Sequence, residues 1–197
     1  MDDKVITVNE AIRKYDPQKP YTYADYASWD DDVRCELIDG EIVVMDAPST
    51  THQRVLRDLF LLFAKFLDGK KCEVLIAPFD VCLFGLGDED TTVVQPDILV
   101  VCDDSLIDEK RCNGAPDLVI EILSPSTEKH DRHRKLSKYM NAGVRECWII
   151  DPYKKNVAVH LKDNKILSFT YYENDETMPV HVLEGLEISL RDVFKSI

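Results

Sequence analysis

An α/β fold, built on a mixed central β-sheet flanked by helices and extended by extra β-hairpins, is what the sequence predicts. Two segments, Val93 to Val101 (VVQPDILVV) and Ala115 to Pro125 (APDLVIEILSP), are rich in Val, Ile and Leu without alternating polarity. That is the pattern of interior strands covered on both faces. From about His52 to Leu67 apolar side chains recur at helical spacing, with Val55, Leu59, Leu62 and Phe66 on one line and Leu56, Phe60, Phe63 and Leu67 beside it. A face that wide covers a sheet. Alternating runs joined by turn residues supply the hairpins. With 197 residues and no repeat or low-complexity stretch, one domain over residues 1–197 is expected.

In chain order, Thr22 is placed to cap a short helix over YADYASW. Val33 to Leu37 and Glu41 to Met45 flank Ile38-Asp39-Gly40, and Asp-Gly between apolar runs predicts a tight hairpin. Ser49, Thr50 and Thr51 precede the long helix. A strand near Cys72 to Phe84, a polar turn (GLGDEDTT), the strand 93–101, a loop through Asn113-Gly114 and the strand carrying Glu121 follow. A helix from about Thr127 to Asn141 ends at Ala142-Gly143, whose glycine suits a left-handed C-terminal cap. Glu146 to Ile150 reads as a buried strand and Val157 to Tyr172 as a hairpin turning at Lys162-Asp163-Asn164-Lys165. Val180 to Leu190 adds a short strand pair before a terminal helical turn.

No segment approaches 18 uninterrupted apolar residues and the N-terminus lacks a signal-peptide core, so a cytoplasmic protein without membrane contact is expected. The six cysteines show no CxxC or Cys/His zinc spacing and read as free, mostly buried thiols, with neither a disulfide framework nor a structural zinc. A net charge of −13 argues against an obvious nucleic-acid binder, because phosphate contacts need Lys and Arg. One segment runs the other way: Lys129 to Lys138 (KHDRHRKLSK) is a clear basic patch.

Asp97 and Glu121 each place a carboxylate inside an apolar strand run. A buried ionised carboxylate costs several kcal/mol unless a cation or dense hydrogen bonding receives it, so two intrusions point to a shared divalent ion. Period-two alternation groups Asp97 with Leu99 and Val101, and Glu121 with Asp117, Val119 and Leu123, so adjacent strands would let Asp97 and Glu121 converge. Mg²⁺, with Mn²⁺ as a substitute, accepts such oxygens together with waters and supports phosphodiester hydrolysis.

The Pro96-Asp97 strand followed by a strand with an acid resembles the signature of the PD-(D/E)XK nuclease superfamily, and the longer pattern resembles its Uma-type restriction-endonuclease family. The matching pieces are Glu36-Leu37-Ile38-Asp39-Gly40-Glu41, His52, Gln95-Pro96-Asp97, Ala115 to Thr127, Asp131 with Lys135 and Tyr139, and Gly143 through Trp148 to Asp151-Pro152. They cover roughly residues 20 to 190, the expected core. The resemblance implies a restriction-endonuclease-like fold and a metal-dependent DNA endonuclease, with Asp97 and Glu121 holding the metal. Leu123 stands where the superfamily has lysine, and in relatives of this type that lysine moves to the following helix, where Lys135 fits. Asp131, Lys135 and Tyr139 recur every four residues and share a helix face, whereas Lys138 points elsewhere. Glu36 stands where such folds supply a further acid, although a solvent-facing strand residue would read the same.

Other polar residues have local explanations as well. His52, a candidate base or supporting donor, also begins a helix after three hydroxyl residues. Asp117 reads as a turn or cap residue, and His130 and His133 as phosphate contacts or solvated side chains. Ser124 and Ser126 lack a nucleophile elbow and read as helix caps. Two alternatives to an endonuclease remain: a catalytically silent nuclease-like binding or assembly module, and a hydrolase of small phosphate esters. Edge strands in the C-terminal hairpins leave a homodimer open.

Overall fold

The computed structural model describes residues 16, 19–29, 34–124, 131–163 and 166–197, with backbone alone at 131–133. In chain order the elements are α1 (Tyr23–Ala27), β1 (Cys35–Ile38), β2 (Glu41–Val44), α2 (Thr50–Leu67), β3 (Glu73–Ile76), β4 (Asp80–Cys82), β5 (Val93–Val94), β6 (Ile98–Val101) and β7 (Arg111–Asn113). They continue with β8 (Leu118–Ile122), α3 (Asp131–Ala142), β9 (Glu146–Asp151), β10 (Asn156–Asp163), β11 (Ile166–Glu173), β12 (Thr177–Pro179), β13 (Glu187–Ser189) and α4 (Leu190–Val193).

The helix signals operate as their chemistry dictates. Thr22 and Asp25 form a reciprocal capping box on α1. The Ser49 hydroxyl accepts from His52 N at the start of α2, and the positive φ of Gly143 ends α3, with Gly143 N and Val144 N both donating to the Tyr139 carbonyl. The start expected for α3 near Thr127 lies outside the described residues, as do Ser126, His130 and the Asn164-Lys165 turn.

The strands form a six-stranded sheet in the order β11-β10-β9-β8-β6-β3, a five-stranded sheet in the order β2-β1-β5-β4-β7, and the pair β12-β13. The six-stranded sheet is the mixed central sheet expected, and the second, five-stranded sheet beside it has a clear cause. Each of the two long runs read as single strands carries a proline, Pro78 or Pro96, which has no N–H to continue a ladder. The first run divides into β3 and β4, the second into β5 and β6, and each divided run contributes to both sheets. The last strand pair is also displaced from its expected place: Thr177–Pro179 pairs with Glu187–Ser189, and residues 180–186 form the connection.

Two cores enclose the six-stranded sheet. On one face, Val55, Leu59 and Phe63 of α2 pack with Ile98, Val100, Leu118, Ile120 and Trp148. Burial of each such side chain contributes about 1.5–3 kcal/mol. On the other face, Leu99, Val101, Val119 and Ile149 meet Val81 and Val94 of the five-stranded sheet and Tyr139 of α3. Glu121 alternates with Val119 and therefore looks into this second layer. Four cysteines, Cys35, Cys82, Cys112 and Cys147, are buried and outside any disulfide. Cys72 and Cys102, expected to be free as well, form a disulfide, because the antiparallel register that opposes Glu73 to Val101 brings their neighbours face to face. No helix among the described residues is long and apolar enough to cross a membrane.

The β1–β2 hairpin turns at Asp39 and Gly40, both at positive φ, as the Asp-Gly pair predicts. A Cβ on Gly40 would lie 2.8 Å from Pro20 Cβ and 2.9 Å from Tyr21 N. Gly40→Ala is therefore expected to lower unfolding stability by about 1–3 kcal/mol through strain and overpacking. Urea denaturation checks this, and an unchanged midpoint would contradict the close approach.

Candidate active site

β6 and β8 are antiparallel neighbours with Ile98 opposite Ile120. Continuing that register by one residue sets Asp97 opposite Glu121, and directly opposed residues share a face. Asp97 itself sits just before β6, at the point where the chain leaves the five-stranded sheet. Its Oδ2 accepts from Ile122 N at 2.7 Å and lies 3.1 Å from His52 Nε2. His52 is 6% exposed, and its Nδ1 has no hydrogen-bond partner among the described residues, so an Nε2–H tautomer that donates to Asp97 fits best.

Glu121 Oε1 accepts from the Tyr139 hydroxyl and from Lys135 Nζ, the latter at 2.7 Å. Lys135 Nζ also donates to Glu36 Oε1 at 2.8 Å, and the same oxygen accepts from Gln95 N at 2.7 Å. The ammonium thus ties Glu36 of one sheet to Glu121 of the other. The side chains of Glu36 and Lys135 are 3% and 8% exposed, so a solvent-facing Glu36 is not what the fold produces. The i,i+4 spacing aims Lys135 and Tyr139 together at Glu121; the third member of that row, Asp131, has a side chain outside the described residues. Lys138 points away and pairs with Asp39. Asp117 serves local structure, accepting from Cys102 N and Arg145. Trp148 is core, with its indole N–H donating to Glu146.

Burial pushes Glu121 up to about 7, the Asp97 and Glu36 charges add to that, and the Lys135 ammonium opposes it. Burial alone would lower Lys135, but Glu121 and Glu36 more than reverse this and hold it protonated. Burial and the Glu121 charge raise Tyr139 well above the usual phenol range, so it remains a donor.

Glu36, His52, Asp97, Glu121 and Lys135 line a cleft of about 280 Å³ between the β1–β2 hairpin, the start of α2, Ala77–Pro78 and the ends of β6 and β8. Asp97 and Glu121 are each 16% exposed. Among the described residues, neither Asp97 Oδ1 nor Glu121 Oε2 accepts a hydrogen bond from the protein. Two opposed carboxylates with one open oxygen each, beside space for water, fit a hard cation that keeps most of its waters, as Mg²⁺ does. No set of three or more His, Cys, Asp or Glu side chains among the described residues forms a fuller metal cage.

Sequence reasoning missed Gln95 as a positioning residue. Its main-chain N–H holds Glu36, and its amide nitrogen bonds Tyr26 and Asp80. Its place beside Pro96-Asp97 was the available signal. The basic patch also changes meaning: Lys135 is internal, and Arg134 is engaged by Glu41 and the Ile38 carbonyl.

A family model described as "Putative restriction endonuclease" (Uma2) matches residues 23–191. The chain belongs to the Uma2 family. The uncharacterized protein slr1290 of Synechocystis sp. is 32% identical over 142 residues, covering 67% of this chain and 73% of the relative. A crystal structure from Anabaena variabilis, described as a putative nuclease belonging to DUF820, superposes with a TM-score of 0.73 at 20% identity, over 89% of this chain and 98% of that one. This Uma2 chain therefore has the restriction-endonuclease-like fold that its motifs imply.

Proposed function

We propose that this Uma2 chain is a metal-dependent DNA endonuclease in which Asp97 and Glu121 hold Mg²⁺, Lys135 and Glu36 serve the reaction, and His52 and Tyr139 orient the metal-binding carboxylates. The observation that carries this is the opposed Asp97–Glu121 pair, with one open oxygen on each carboxylate beside a buried ammonium. When bound, a hard divalent cation supplies Lewis-acid polarisation of a phosphodiester and of an attacking water. The chain's own groups do the rest. Lys135 has three N–H bonds and directs two to Glu36 and Glu121, leaving one for a phosphate or water oxygen and fixed positive charge where negative charge develops. The water oxygen joins phosphorus as the bond to the leaving oxygen breaks, giving a phosphate monoester and a hydroxyl. Family membership and the shared fold support the reading. Supercoiled plasmid and single-stranded circular DNA, each incubated with Mg²⁺ or Mn²⁺, test it. Cutting that EDTA stops is expected, and intact substrates under both metals would sink the proposal.

Cation binding needs Glu121 ionised, and its raised value lies near neutrality. Mn²⁺ affinity, measured by calorimetry, should rise about tenfold from pH 6 to pH 8 as the Glu121 proton is lost, and the slope should flatten in Glu121→Gln. A pH-independent affinity in the parent would contradict this. His52→Ala, which frees Asp97 from one of its two partners, should weaken the same binding by about 10–100-fold. His52→Gln, retaining an N–H donor, should recover part of that loss; equal affinities in all three chains would remove His52 from the site.

A further inference from the structure

We propose that the cleft takes an unpaired strand, so that single-stranded DNA or a locally opened duplex is cut in preference to intact double helix. This rests on the nuclease reading above and adds the conformation of the substrate.

Three features of the cleft favour a single strand. The first is depth. The open oxygens belong to side chains only 16% exposed, so a scissile phosphate has to descend between the walls to reach them. At about 280 Å³ the cleft lies near the lower end of small-molecule pockets, which span about 300–1,000 Å³. That is room for one nucleotide at a time.

The second feature is charge. A duplex brings one negative charge per about 1.7 Å of its axis and draws its affinity from arrays of free cations. The described cleft lining contains Glu36, Asp46, Asp97 and Glu121 against Arg34 and Lys135, and Lys135 is already shared between Glu36 and Glu121. Beyond it, Arg134 and Lys138 are occupied by Glu41 and Asp39. A net charge of −13 adds a further electrostatic cost to seating a whole helix on the chain.

The third feature is the apolar wall. Val43, Met45, Ala47, Pro48, Leu56 and Pro78 line the cleft. Val43 is paired opposite Glu36, so it projects from the same face as that carboxylate. Duplex DNA hides its base faces in the stack, whereas an unpaired strand presents them to apolar side chains, the contact from which sequence-tolerant single-strand sites draw affinity. An apolar wall opposite metal-binding carboxylates gives a base somewhere to lie while its phosphate meets the acids.

The test uses the full chain, Mg²⁺ and one labelled mixed-sequence oligonucleotide in three forms: single-stranded, as a blunt duplex, and as a duplex with a central mismatched bubble. Initial rates are read on denaturing gels. The single strand and the bubble are expected to be cut at least tenfold faster than the blunt duplex, with bubble cuts inside the unpaired region. Duplex cleavage at an equal or higher rate overturns the inference and leaves the nuclease reading standing, while cleavage of none of the three overturns both. The double variant Val43→Ala/Met45→Ala is expected to raise the single-strand KM severalfold at nearly constant kcat. An unchanged KM overturns the assignment of the wall.

Discussion

Asp97→Ala is expected to abolish metal-dependent cleavage, by about a thousandfold or more, in a chain that still folds. Loss of one of the two proposed metal ligands would forfeit several kcal/mol of transition-state charge stabilisation, and about 4 kcal/mol corresponds to three decades in rate. The fold survives because Asp97 lies outside the ladder of β6 and is partly open to the cleft. Its removal leaves Ile122 N and His52 Nε2 without their acceptor, a penalty of about 1–3 kcal/mol per buried group against typical stabilities of about 5–15 kcal/mol. Asp97→Asn sharpens the comparison, since its amide oxygen still accepts from Ile122 N while the charge is gone. Plasmid cleavage and circular dichroism on both variants decide the matter. A variant with native spectra and parental rate would show that the metal is held elsewhere.

Lys135→Met is expected to damage both stability and activity. The ammonium is the cation shared by two buried carboxylates, and breaking a buried ion pair from one side costs about 3–5 kcal/mol. For a chain of this size that lowers Tm by roughly 6–20 °C. The pH dependence has a definite sign. Glu121 already titrates above the ordinary glutamate range because it is buried, and without Lys135 it loses the group that opposes that rise. A carboxylate raised in the folded state binds more protons folded than unfolded, so its contribution to stability falls as pH rises through the window between the two values. The deficit of Lys135→Met relative to the parent should therefore be larger at pH 8 than at pH 5. Adding Glu36→Gln should restore part of the loss by removing one stranded charge. Thermal melts at the two pH values check all three statements, and a variant melting within about 2 °C of the parent would contradict the network.

The convergence of Asp97 and Glu121 was legible because two carboxylates inside apolar runs violate the ordinary partition of charge, and adjacency of their strands was the one missing fact. Lys135 and Tyr139 were legible from i,i+4 spacing on a helix with a well-marked end. Glu36 was ambiguous for a physical reason: its burial depends on Gln95 N and Lys135, 59 and 99 residues away, and the short run around it carries no trace of either. The division into two sheets left only Pro78 and Pro96 as clues, and the Val, Ile and Leu on both sides of Gln95-Pro96-Asp97 favoured one continuous strand. The Cys72–Cys102 bond depends on a strand register fixed by packing.

The two strand runs that pass from one sheet into the other do more than bring acids together. Chain connectivity crosses the seam beside the cleft twice, at Ala77–Pro78 and at Gln95–Asp97, so the sheets are stitched at the cleft itself. Widening the cleft by prising the sheets apart would strain covalent chain as well as packing. The hairpin end at residues 43–48 has no such crossing: β2 is an edge strand that pairs with β1 alone, so this wall of the cleft yields at a lower cost than the seam does.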